Sequence, residues 1–173
     1  AIGDRVNWHM IGHLQRNKVK KAVELFDMIE TIDSERLALE VNKQSVAVDK
    51  VMPVLIEINS GKESNKSGVL PEDAIGLIRR INHLSNLVIV GLMTMGPRFG
   101  DPEDARPYYR ITKRIFEEIK KTEIPGVEMC YLSMGMSNSY QIAIEEGANI
   151  IRIGTALFGE RAEKRNIPLI TRN

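Results

Sequence analysis

Apolar residues in this chain follow two alternating rhythms. Short runs such as MPVLIEINS (52–60) and LVIVGLMTM (87–95) are near-continuous hydrocarbon, the pattern of strands buried on both faces. Between such runs lie longer stretches with helical spacing. In QRNKVKKAVELF (15–26), Val19, Ala22, Val23 and Phe26 share one face, which leaves Arg16, Lys18, Lys20 and Lys21 as a solvated flank. VNWHMIG (6–12), MIETID (28–33), VEMCYLSMG (127–135) and NIIRIGTALFG (149–159) complete six candidate strands. Further helices are predicted between them. One starts at about Ser34, a good N-cap, and one near Pro71, which suits a first helical turn. Another lies in PEDARPYYRITKRIFEEIKK (102–121), and SYQIAIEE (139–146) is closed by Gly147.

Regular βα alternation with apolar strands argues for an α/β protein: a parallel sheet with helices outside it. A doubly wound sheet and a (β/α)8 TIM-type barrel both fit that pattern. The barrel is favoured because the unusual residues stand at strand ends, and no G-x-G-x-x-G follows the first strand. A closed barrel needs eight strands. The expectation is an incomplete barrel of about six βα units, strands 3 to 8, with residues 1–173 as a single domain. The chain opens on Ala1 directly ahead of a strand, and about two further units are expected upstream. Six strands left open would expose two parallel edges, so a partner chain or an oligomer covering them is a further expectation.

Composition narrows the function classes. Lys and Arg number 24 against 23 Asp and Glu, so no one-sided field exists to drive binding to nucleic acid or to a membrane. A single cysteine, Cys130, excludes a disulfide framework and a cysteine metal cluster, and its apolar surroundings read as those of a small core hydrophobe. Three scattered histidines give no metal-ligand spacing. With no long apolar span and no signal-like segment, the expected location is cytoplasmic.

The chemistry gathers in YLSMGMSNSYQIAIEEGANIIRIGTALFG (131–159), where an apolar run twice ends in glycine beside a hydroxyl. MGMSNSYQ runs straight into a helix whose N-cap would be Ser137 or Asn138. Gly154 and Thr155 add a second backbone N–H and a second hydroxyl. Two such corners can form a phosphate cup after the last two strands of a barrel; the simpler alternative is a helix cap plus a turn. Arg152 sits inside a buried strand, either as half of a structural salt bridge or as a donor to a ligand. On residue chemistry alone His9 reads as a core histidine bonded to backbone. Lys66, in its loop, reads as solvated.

Taken together, WHMIGHLQRNK, NSGKESNKSG, GLMTM, LSMGMS and IRIGTALFG resemble the pyridoxal phosphate homeostasis protein family, relatives of the N-terminal barrel of alanine racemase. The resemblance runs to about Arg161 with the motifs in order. It implies a (β/α)8 barrel with pyridoxal 5′-phosphate at the C-terminal ends of the strands. Ser137, Gly154 and Thr155, with the backbone around Met136, would hold the phosphate. Arg152 would donate to the pyridine nitrogen, His9 and Met93 would line the pocket, and Ser133 would lie near the ring. No lysine of this chain matches the family's Schiff-base lysine, so covalent attachment is not expected. Ser139 stands where an acidic residue is common in the family. The implied function is a non-catalytic carrier in vitamin B6 and amino-acid homeostasis. Two alternatives stay open: a barrel enzyme acting on a small phosphorylated metabolite, with His9 or Glu57 as its base, or an inactive barrel fragment.

Overall fold

The computed structural model describes residues 5–64, 66–97 and 100–159. Its strands are β1 (His9–Met10), β2 (Met28–Ile32), β3 (Met52–Ile58), β4 (Leu87–Thr94), β5 (Val127–Met136) and β6 (Ile150–Arg152). They alternate with α1 (Val19–Leu25), α2 (Glu35–Ala47), α3 (Ala74–Ile81), α4 (Arg106–Thr122), α5 (Tyr140–Glu145) and α6 (Thr155–Phe158). The strands lie side by side in chain order and every pairing is parallel. A doubly wound sheet reverses its strand order at a switch point. This sheet never does, and it curls into an open half-barrel. The tail 160–173, part of the expected single domain, lies outside the described residues.

Local chemistry explains where the helices begin. Ser34 caps α2, its hydroxyl accepting from the Leu37 amide at 3.4 Å. Pro71 opens a 3-10 turn that leads into α3. Asp101 and Asp104 form a capping box ahead of α4. Gly147 follows α5 with φ +92°, the left-handed conformation that glycine adopts without a steric penalty. Arg106 on α4 then ties down α5, donating to Glu145 and Glu146 at 2.7 Å each.

The sheet divides the apolar residues into two layers. On its outer face Val54, Ile56, Ile58 and Ile89 pack against Val41, Leu77, Ile78 and Phe116 of the helices. On its concave face Met28, Leu55, Val90 and Met93 form a smaller cluster. Strand alternation accounts for β3, which sends Leu55 and Glu57 inward between outward Val54, Ile56 and Ile58. Alternation fails in β4. Val54 pairs Ile89 while Leu55 pairs Gly91, so Val90 is an extra residue, a β-bulge. The bulge lets Val90 and Met93 face the same interior although three positions apart. It also brings the chain so close to β5 that a Cβ on Gly91 would lie 1.8 Å from the Tyr131 carbonyl oxygen.

Two expectations are corrected. The strand foreseen over 6–12 pairs only at His9–Met10, where β2 is its one neighbour among the described residues. Cys130 is exposed, not a core hydrophobe. Alternation turns Met129 toward the helices and Cys130 toward the concave face, where it lines an open cavity of about 360 Å³ with Asn7, His9, Asp27 and Glu128. Arg16, Lys18, Lys20 and Lys21 are all exposed, as foreseen. Among the described residues, no helix is long and apolar enough to cross a membrane, and no cluster of three or more His, Cys, Asp or Glu could hold a metal ion.

Gly91→Ala tests the bulge. The carbonyl it meets is backbone and cannot rotate aside, so we expect a loss of about 3 kcal/mol or more in urea unfolding.

Candidate ligand site at the strand ends

At the C-terminal end of β5 the chain turns at Gly135, φ +93°, where a Cβ would meet the Ala143 Cβ at 2.6 Å and the Tyr140 Cα at 2.9 Å. Glycine therefore lets α5 fold back tightly. The cap of α5 is Ser139, neither Ser137 nor Asn138 as foreseen. Ser139 is buried because its hydroxyl pairs with the Tyr109 hydroxyl at 2.8 Å and accepts from the Met136 amide at 3.4 Å. Ser137 is thereby released from α5. Its Oγ accepts instead from the amides of Gly154 and Ala156, each at 3.2 Å. Thr155 is the first residue of α6, and among the described residues nothing lies within 4 Å of where a Gly154 Cβ would stand. The two glycine-hydroxyl corners thus meet, joined by one serine oxygen.

Arg152 lies beside this corner, paired across the sheet with Met136. Its guanidinium donates to Ser133 Oγ at 2.6 Å, to the Thr94 carbonyl at 2.8 Å and to Met95 Sδ at 3.4 Å. Burial pulls its pKa below the ordinary value, while Glu30, Tyr109 and Glu57 push it back up. Ser133, fully buried, passes its own proton to Glu30 Oε2 at 2.6 Å. Glu30 Oε1 in turn is hydrogen-bonded to His9 Nδ1 at 2.8 Å. Met93 pairs Ser133 across the β4–β5 ladder and packs in the concave cluster. All eight residues singled out in the sequence fall into these two adjoining groups.

His9 is therefore bonded to a carboxylate, not to backbone. That carboxylate, Glu30, is the site residue that sequence reasoning missed. The signal was present: MIETI places a charge in a strand buried throughout, at the same parity as inward Met28. Lys66 is held by Glu63 at 2.5 Å, consistent with a role confined to its loop.

Glu57 stands in the same row, in register with Met93 and so with Ser133. It is 6% exposed, and among the described residues its Oε2 has no hydrogen-bond partner. Burial first, and then the charge of Asp33, raise its pKa to about 7, with Arg152 acting in the opposite direction.

The arrangement is a candidate site of the barrel type: a hydroxyl and two amides meet at the last two strand ends with a guanidinium beside them. Residues 3–162 match the family model described as alanine racemase, N-terminal domain. Over 90% of its length the chain is 44% identical to a pyridoxal phosphate homeostasis protein of Aquifex aeolicus, of which it covers 68%. Among solved structures it resembles PipY of Synechococcus elongatus. The TM-score is 0.83 to the form without PLP, at 31% identity, covering 90% of this chain and 72% of that one. It is 0.79 to the PLP-bound form, at 30% identity, covering 89% and 71%. The chain belongs to the pyridoxal phosphate homeostasis protein family. It spans about two thirds of the length of these relatives.

Glu57 generates a pH prediction. Its folded pKa lies above the usual 4.5, so between 4.5 and about 7 the folded chain holds a proton that the unfolded chain releases. Stability from this group is full below 4.5 and falls as pH rises through 7, by on the order of 3 kcal/mol. Glu57→Gln, neutral throughout, should flatten that decline in denaturant melts between pH 5 and 8. An unchanged slope would contradict the assignment.

Proposed function

We propose that this chain binds pyridoxal 5′-phosphate at the C-terminal rim of its half-barrel and acts as a non-catalytic carrier in vitamin B6 and amino-acid homeostasis. The observation that carries this reading is the junction of Ser137 Oγ with the Gly154 and Ala156 amides, next to the Arg152 guanidinium. The Ser137 hydroxyl, with its own proton still to give, suits a phosphate dianion, and among the described residues nothing lies within 4 Å of where a Gly154 Cβ would stand. The similarity to PipY, solved with PLP bound, supports the same ligand.

In this reading Ser137, Gly154, Thr155 and the backbone around Met136 hold the phosphate. Arg152 faces the pyridine nitrogen, with His9, Met93 and Ser133 lining the pocket. The cofactor, when bound, supplies an electron-accepting ring and an aldehyde. A guanidinium only donates, so Arg152 keeps the ring nitrogen unprotonated and the ring a weaker electron sink. That favours holding over turnover. None of these contacts requires a covalent bond. The outer edges of β1 and β6, unpaired among the described residues, would be covered by a partner chain or a second copy, and the cytoplasm is the proposed location.

A second reading, an enzyme acting on a small phosphorylated metabolite, draws on Glu57, a buried carboxyl poised near neutrality. Turnover of such a compound, abolished by Glu57→Gln, would favour it.

The carrier reading is tested by titrating pyridoxal 5′-phosphate against the fluorescence of Trp8, the one tryptophan and the neighbour of His9. We expect saturable one-to-one quenching. Ser137→Ala should weaken binding about tenfold, the cost of one hydrogen bond to a charged group. No saturation, or an unchanged affinity in the variant, would refute the phosphate assignment.

A further inference from the structure

We propose that Glu30 is a positioning residue for the ring end of this site, acting on Arg152 through Ser133 and on His9 directly. The inference rests on the reading above, in which the ligand ring sits beside Arg152.

Glu30 is 1% exposed, yet it does not touch the arginine whose charge it balances. Ser133 stands between them, and the order of donors admits one assignment. Arginine has no acceptor, so Ser133 Oγ must accept from Nη1. The single Ser133 proton then goes to Glu30 Oε2. Oε1 remains to accept from His9, which fixes the His9 proton on Nδ1 and leaves Nε2 as the ring nitrogen open to a ligand.

Two consequences follow for binding. The guanidinium plane is held by Ser133 on one nitrogen and by the Thr94 carbonyl on the other, so the N–H groups left over point in set directions. The side chain of His9 also offers one nitrogen in one tautomer. Stability alone does not call for this arrangement, because buried ionic groups can often be replaced by apolar ones without loss. The phosphate end rests on other bonds, those from the Gly154 and Ala156 amides to Ser137 Oγ.

The experiment uses the full chain and Glu30→Gln, which keeps shape but removes the charge. We expect binding of pyridoxal 5′-phosphate to weaken about tenfold or more, with inorganic phosphate unchanged within about twofold. In the ligand-free wild type, nitrogen NMR of the His9 ring should show the proton on Nδ1, and Glu30→Gln should shift that tautomer. Ser133→Ala serves if Glu30→Gln does not fold: it should lose ring affinity as well while His9 keeps its Nδ1 proton. A wild-type His9 protonated on Nε2 would overturn the proposal, as would equal losses for both ligands. Absence of any pyridoxal 5′-phosphate binding by the wild type would refute the carrier reading, while the His9 tautomer would still test Glu30.

Discussion

A guanidinium on the inner face of a parallel sheet gives up much of its hydration, so its charge has to be balanced close to where it stands. In this chain the compensation travels through matter already in the sheet. Arg152 on β6, Ser133 on β5 and Glu30 on β2 are joined by two 2.6 Å hydrogen bonds, with His9 on β1 closing the series. Four of the six strands are thus linked by side chains across the concave face, in addition to their backbone ladders. The curl of the sheet is what brings β2 within reach of β5, with β3 and β4 lying between them.

The same interior holds a second carboxylate with the opposite fate. Glu30 is satisfied on both oxygens and sits near a cation. Glu57 has an idle Oε2 and Asp33 for company. On one face of one chain, then, one carboxylate is hydrogen-bonded through both oxygens and the other is not. The bulge at Val90 matters to both, since it sets which residues of β4 enter the row that runs from Glu57 through Met93 to Ser133.

The strands were legible because parallel strands buried on both sides read as unbroken hydrocarbon. Ser34 and Pro71 announced their helices through local chemistry that no distant contact overrides. Arg152 stood out as a charge in an apolar run. Glu30 did not, because Thr31 beside it lets MIETI pass for an ordinary half-polar strand. The bulge in LVIVGLMT was hidden for the opposite reason: where every residue is apolar, a slip of one position leaves no trace in the pattern. The cap of α5 was undecidable locally, since Ser137, Asn138 and Ser139 are all capable. Tyr109, thirty residues upstream, makes the choice by bonding Ser139. Cys130 failed because an apolar neighbourhood in sequence says nothing about which sheet face a helix covers.

The corner oxygen of Ser137 has a mechanical meaning. A hydroxyl owns one proton and two lone pairs, so an oxygen receiving the Gly154 and Ala156 amides still has its own proton to give, in a direction those two bonds set. The loop that follows β5 and the turn that follows β6 are stitched together in advance. A visitor would find a donor already aimed, with little order left to impose on the surrounding backbone.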